Sequence, residues 1–550
     1  MSENRTAKKE ERSSRIKKSI VLSGLIGTGG LFVAKLLGLV YSIPLSSILG
    51  SDAYMSYYGN AYRIYNYILN ICTAGFPLAV ATVVARYHVK GDYKSLLKIR
   101  RLALSILAGL GMVGMIFLMF MAAPIARVML QNTESNAESV AIMTNLLRLI
   151  GVAVFLVPVL SGFRGFYQGL KEMEEYAFSQ VFEQFFRVGF MLSVSWLLVY
   201  VFNKERKWAL YAAVISTSVA ALAGIIQYVF FDRKKIKEIE EPAAIQAYDA
   251  QSRDVLMKEF LALAIPYLIS SIVGYGDDIF NTILLPIGLA RKGYDETTRN
   301  VILSAVNYVG SKINAIPMIL APGFTAAVIP HISAALAAKN ERRVERNIRD
   351  CLNIILYIAM PICFCIVIYA PGIYHVLYYT EDLATSSNVL AWNAVEGFLG
   401  TLIPVVSTIM MTVGFRRSLL ARLSIGAIAK AIVIVPLVSL LGYPGAVLSS
   451  VICNGYAGVF NLKEIHDKMN VSFKPIIRIF LKLLLGLGVI FIINRLCNLI
   501  GLDAGSGPRL VCLFRLAVNG LLALAGYALF TWWLRIPQKV FHLRRKTKTA

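Results

Sequence analysis

Charge is scarce in this chain: Asp, Glu, Lys and Arg make up 16% of its 550 residues, while 57% are hydrophobic. Acid is scarcer still, with 32 Asp and Glu against 56 Lys and Arg, a formal net charge of +24. A string of soluble domains of this length needs more polar surface than that. The five histidines form no zinc motif, and no Gly-x-x-x-x-Gly-Lys-Ser/Thr loop exists to hold a nucleotide phosphate. The seven cysteines are odd in number and show no Cys-x-x-Cys spacing. Cys72, Cys363, Cys365 and Cys453 lie inside apolar runs and Cys351 opens another, which reads as packed thiols rather than disulfides or metal ligands. No metal, cofactor or catalytic residue is expected.

What the sequence has in abundance is apolar runs near the ~20 residues needed to cross a bilayer. The first extends from Ser19 to about Leu49, and others centre near residues 72, 110, 152, 190, 218, 272, 318, 358, 400, 430, 453, 487 and 522. The expected fold is an all-α polytopic membrane protein with about fourteen transmembrane helices. The first run is too long for a signal peptide and contains Lys35, so it reads as an uncleaved span. The basic excess also sits where a membrane protein would carry it, which argues against nucleic acid as partner. With alternate loops assigned to the cytoplasm, 39 Lys and Arg fall on that side, 9 on the other and 8 within spans. By the positive-inside rule both termini are cytoplasmic.

The most polar connection, 232–256, separates six spans from the rest. The expected organisation is a basic tail (1–18), an N-lobe (19–231), a cytoplasmic linker (232–256), a C-lobe (257–466), an appended helix pair (475–535) and a second basic tail (536–550). The stretch GFPLAV at Gly75–Val80 matches GFTAAV at Gly323–Val328, and a basic polar run follows each. Arg63 and Lys312 fall within one residue of the same place in the two copies. The lobes therefore read as parallel repeats. The breaks at Gly75–Pro77 and Pro317–Gly323 are the expected bending points, because Gly and Pro weaken the helix ladder.

Each ionisable side chain inside a span costs roughly 2.5–3.5 kcal/mol at mid-bilayer, so it needs a reason. Lys482 and Arg515 are near span ends and can snorkel. Arg187 has Glu183 one helical turn earlier, which reads as an intrahelical pair. Arg148 has no assignment. Lys35, Arg63 and Lys312 lie deeper, with no acid three or four positions away. Two readings remain for them: pairing with Asp277, Asp278 or Glu396 on other helices, or facing a water-filled cavity that receives an anionic substrate. Asp277-Asp278 is followed by Ile-Phe-Asn and lacks the third carboxylate of a metal–diphosphate motif. With Glu396 and Lys430, these aspartates are the candidates for an ion site or charge relay. The tyrosines at 41, 57, 58, 62, 65 and 67 read as packing or an interfacial belt.

The segments AKLLGLVYSIPLSSILG, YRIYNYILNICTAGFPLAVATVVARY and SKINAIPMILAPGFTAAVIPHIS resemble the MurJ/SpoVB/YtgP branch of the multidrug/oligosaccharidyl-lipid/polysaccharide (MOP) superfamily over essentially the whole chain. The resemblance implies two six-helix lobes around a cationic cavity, with a lipid-tail groove at the last helices. It implies translocation of lipid II, the undecaprenyl-diphosphate-linked peptidoglycan precursor, from the inner to the outer leaflet of a bacterial plasma membrane. Partners would then be this anionic lipid, membrane lipids and proteins of a wall-synthesis complex. By position Lys35, Arg63 and Lys312 stand where the family carries basic residues, while Tyr41 and Leu69 occupy places where some members have arginine. Some relatives bind sodium through acids on spans seven and eleven; here span eleven carries Lys430, so sodium is not expected. The drive would be the membrane potential, an ion gradient or consumption of product. A flippase for another polyprenyl-linked glycan or sporulation precursor is the sibling reading. A multidrug antiporter fits the basic residues less well.

Overall fold

The computed structural model describes residues 37–541, apart from 39, 74–75, 131–136, 171, 275, 319–331, 333–334 and 337–338. Among these residues every regular element is helical. In chain order they are α1 (Ser42–Leu49), α2 (Asp52–Thr73), α3 (Phe76–Lys90), α4 (Tyr93–Leu130), α5 (Ala137–Gly169), α6 (Met173–Trp196), α7 (Arg206–Lys235), α8 (Lys237–Ile245), α9 (Arg253–Gly274), α10 (Gly276–Arg291) and α11 (Glu296–Ser304). A π-helical turn (Ala305–Gly310) follows α11, then α12 (Ser311–Ile313) and α13 (Ala315–Met318). The second half adds α14 (Glu341–Leu377), α15 (Leu383–Thr412), α16 (Arg416–Leu441), α17 (Tyr443–Met469), α18 (Lys474–Leu499), α19 (Arg509–Trp533) and α20 (Ile536–Val540).

Ten of these helices are long and apolar enough to cross a membrane, α6 counted together with the π-helical turn Leu197–Val201 that continues it. Their lengths run from 25 to 38 residues, and at ~1.5 Å per residue even the shortest exceeds the ~30 Å hydrocarbon core. They cover ten of the expected centres, from 110 to 218 and from 358 to 522. The count of fourteen is not reached among the described residues. Most of the first span lies outside them. Near 72 the chain divides into α2 and α3, near 272 into α9 and α10, and near 318 it runs through the π turn and two short helices.

Internal contacts gather the chain into two units, one of residues 1–48 and 61–275, the other of residues 49–60 and 276–550. In the first, α3, α4, α5 and α7 share a core that includes Val80, Val84, Leu107, Phe163 and Tyr167. Glycines set its spacing: a Cβ on Gly165 would lie 2.7 Å from the Pro77 carbonyl oxygen, and one on Gly169 2.7 Å from that of Ala81. Small residues let membrane helices approach this closely. Helix α9, grouped by sequence with the second lobe, packs here instead. It buries Leu256, Phe260 and Ala264 in this core and offers Glu259 to Arg86 at 3.3 Å.

The linker also differs from expectation. Residues 232–235 complete α7, and α8 buries Ile239 and Ala243 against the same unit. Asp232 is a buried carboxylate held by Arg100 and the Tyr167 hydroxyl. Arg164, counted by sequence as a loop cation, is a buried residue of α5.

In the second unit, α14, α15, α18 and α19 enclose a core with Ile348, Ile355, Val405, Leu483 and Ala523. Tyr369 reaches Asn519 at 2.7 Å, and Tyr527 donates to the Tyr357 carbonyl at 3.1 Å, tying the appended pair to α14. At the start of α2, Asp52 is fully buried and accepts from the Glu381 N–H at 2.7 Å and the Thr380 hydroxyl at 3.0 Å. Gly59 lies against Asn307 in the π turn, whose side chain donates to Asn60.

Candidate functional site

Helix α15 carries the polar centre of the second unit. Lys430 of α16 is fully buried, and its ammonium donates to the Ser450 hydroxyl of α17 at 2.8 Å. Ser450 donates in turn to Glu396 Oε1 of α15 at 2.7 Å. A cation and a carboxylate on different helices are thus joined through one hydroxyl. Sequence reasoning paired Glu396 with Lys430, but nothing singled Ser450 out from the chain's other serines.

Asp277 and Asp278 stand at the N-terminal end of α10, and their side chains are outside the described part. The helix itself runs alongside α16 in the same direction. A Cβ on Gly288 would meet Val438 at 2.6 Å, and Lys292 Nζ donates to the Leu440 carbonyl at 2.7 Å. This register carries the start of α10 back toward the level of Lys430.

One turn of α15 also receives the Lys312 segment. Asn314 donates to the Asn393 carbonyl at 2.8 Å and to its side-chain oxygen at 2.6 Å. A Cβ on Gly397 would lie 2.7 Å from Asn314 Oδ1, so a larger residue there would have to displace the Asn314 side chain from this clasp. Lys312, partly buried, sits two residues before this clasp, and Pro317 is buried just after it. α15 therefore holds Lys312's backbone near Asn393 and links Glu396, three residues on, to Lys430.

The other side of α15 is apolar. Ala394, Val395 and Phe398 line a cavity of about 230 Å³ with Phe364 of α14 and with Phe480 and Leu487 of α18. One helix thus separates an almost wholly apolar groove from a charged cluster.

In the first unit, partly buried Arg63 lies on α2, and among the described residues no partner is within hydrogen-bond distance of it. The expected Arg187–Glu183 pair gives way to another arrangement. Glu183 accepts from Arg164 at 2.7 Å, and Ser179 accepts from the same guanidinium at 3.1 Å. Arg187 instead lies over two tyrosine rings, 4.8 Å from the centroid of Tyr62 and 5.7 Å from that of Tyr41. Spacing of four residues made the pair legible, but a buried arginine from α5 reaches the carboxylate from outside the helix. Tyr41, at a place where some relatives carry arginine, thereby has a guanidinium over its ring.

Pro77 stands in the first turn of α3, where the missing N–H costs nothing. Lys35, Gly75 and Gly323 lie outside the described residues. Arg515 reaches the Asp503 carbonyl at 3.2 Å near its helix end, as a snorkelling side chain would. All seven cysteines are free thiols and six are buried.

Ten helices long and apolar enough to cross a membrane, some of them carrying buried charges such as Arg164, Glu183, Asp232 and Lys430, define a multi-pass membrane protein. The chain belongs to the polysaccharide biosynthesis protein family, whose model matches residues 20–336; the MatE model matches residues 300–437. It is 28% identical over 431 residues to the lipid II flippase MurJ of Bacillus subtilis (strain 168), covering 77% of this chain and 78% of that protein. Stage V sporulation protein B of the same organism is 21% identical over 368 residues, 67% of this chain and 68% of that one. A solved lipid II flippase MurJ in an inward closed conformation superposes with a TM-score of 0.65 at 14% identity, over 92% of this chain and 98% of that one. The fold is that of the MOP superfamily, and the chain is a transporter rather than an enzyme.

Proposed function

We propose that this protein is a flippase moving lipid II, an undecaprenyl-diphosphate-linked peptidoglycan precursor, from the inner to the outer leaflet by alternating access. The observation that carries this reading is α15, with an apolar groove on one side and the Lys312 clasp and Glu396–Ser450–Lys430 chain on the other. A substrate with a polyprenyl tail and an anionic head needs both surfaces at once. The similarity to a lipid II flippase over 77% of the chain supports the same choice. Lys35, Arg63 and Lys312 are the proposed diphosphate-binding cations, whose attraction is strengthened by a low-dielectric surround. Gly75, Pro77, Pro317 and Gly323 are the proposed hinge positions. Both termini face the cytoplasm in this account, and proteins of the wall-synthesis machinery are the proposed partners. The drive is proposed to be the membrane potential or an ion gradient, with Asp277, Asp278, Glu396 and Lys430 as the groups that sense it.

The test is complementation in cells depleted of every other flippase. Lys312→Ala and Lys35→Ala should fail to support growth, and Lys312→Arg should support it. Normal growth with either alanine variant would remove these residues from the site.

A further inference from the structure

A second basic cluster lies in the first unit, at the start of α4. Lys94, Lys98 and Arg101 recur at helical spacing on one face of α4, just before its apolar length begins at Leu102. Together with Asp249 and Ser252 of the α8–α9 connection they line a cavity of about 650 Å³. The connection is fastened to the helix at four points. Gln246 accepts from the Lys94 N–H at 3.1 Å and donates to Asp92 Oδ1 at 3.0 Å. The Gln251 N–H donates to the Ser95 hydroxyl at 2.9 Å, and Lys98 Nζ donates to the Gln251 carbonyl at 3.2 Å.

Two contrasts give this cavity its chemistry. Neighbouring Arg100 is spent on Asp232, whereas among the described residues none of the three cavity cations has a carboxylate within ion-pair distance. The backbone N–H groups of Lys94 and Ser95 are already taken by Gln246 and Asp92. Attraction here therefore comes from three side-chain cations and not from the helix end. Their geometry fits a group with several anionic oxygens, and their depth, at the boundary of an apolar span, matches a lipid headgroup.

We propose that Lys94, Lys98 and Arg101 bind the phosphate of an anionic phospholipid of the cytoplasmic leaflet, clamping the α8–α9 connection to α4. The leaflet follows from the orientation proposed above; the binding does not.

The experiment uses the full chain in detergent, titrated with phosphatidylglycerol or with phosphatidylcholine. Binding is read by native mass spectrometry, and hydrogen exchange is followed over 93–101 and 246–252. Wild type should bind phosphatidylglycerol in preference and gain protection in both segments. Each Lys→Gln or Arg→Gln change should weaken binding about fivefold, and the triple variant about 100-fold. Asp249→Asn, which leaves every cation in place, should tighten it. Equal phosphatidylglycerol binding by wild type and the triple variant would overturn the site. Protection produced equally by inorganic phosphate or glycerol 3-phosphate, with no need for lipid, would overturn the lipid as its source. Orientation fails separately: labelling of Ala250→Cys in intact cells by an impermeant maleimide would reverse the leaflet and leave binding in detergent unchanged.

Discussion

Replacing Lys430 and Glu396 singly and together separates a structural charge pair from two independent polar residues. Lys430 is fully buried and is joined to Glu396 through the Ser450 hydroxyl, at 2.8 and 2.7 Å. Removing one member of a buried pair typically costs ~3–5 kcal/mol, because it leaves the other charge facing low dielectric. Glu396 is only partly buried, so Lys430→Met should fall below that range, at roughly 1–3 kcal/mol. Glu396→Gln keeps an oxygen that can still accept from Ser450 but deletes the carboxylate charge at the far end of the hydroxyl bridge. The double variant removes both charges and puts a flexible apolar side chain in the lysine's place. Buried pairs exchanged in this way often lose nothing. The double variant should therefore be more stable than the less stable single variant, with a coupling of about 1–3 kcal/mol. Unfolding of purified protein in mixed detergent and SDS reads all four corners of this cycle. If the two single losses simply add, Lys430 and Glu396 do not act as a unit, and the charge relay built on them falls. Transport in the same four proteins separates stability from drive: a relay needs both charges, so the stable double variant should be inactive.

Two other outcomes are expected. Arg187→Ala should lose at least the roughly 0.5–2 kcal/mol of a cation over aromatic rings and reduce transport sharply if its guanidinium serves the substrate; Arg187→Lys should recover part of it. Unimpaired transport by the alanine variant would confine Arg187 to packing. At Asp52, burial pushes the carboxyl up from 3.8 to about 6, against the hydrogen bonds from Glu381 and Thr380 that pull it down. A raised value means the packed arrangement is favoured below the ordinary carboxylate range and loses that advantage as pH rises through about 6. Hydrogen exchange over residues 378–382 should accordingly be slower at pH 5 than at pH 7 after correction for the intrinsic rate. Asp52→Asn should abolish the difference, and a pH effect that survives it would place the titrating group elsewhere.

Much of the architecture was legible because a bilayer reads apolar length directly. Helices such as Tyr93–Leu130 and Glu341–Leu377 have no other use for so long a hydrophobic run. The interrupted segments were less legible. α2 contains Asp52, Asn60, Arg63 and Asn66 among apolar residues, and its first turns cluster with one unit while the rest cluster with the other. α8 escaped notice because nine residues with Ile239 and Ala243 as their buried positions show too little periodicity. The charges Lys430 and Glu396 stood out because a charge inside an apolar span is expensive. Ser450 did not, since a serine in a membrane helix is cheap and satisfies itself on the preceding turn. The Arg187 assignment failed for a related reason. Spacing along one helix says which side chains can meet, and tertiary packing decides which do; Arg164 reached Glu183 from α5.

The central claim is the direction and identity of the cargo. The measurement that tests it most directly is lipid II exposed on the outer leaflet after depletion of this protein from a host with no other flippase. The account predicts that exposure falls while lipid II accumulates inside, and that wild-type protein restores it. Unchanged exposure would contradict the assignment of lipid II and point instead to another polyprenyl-linked glycan.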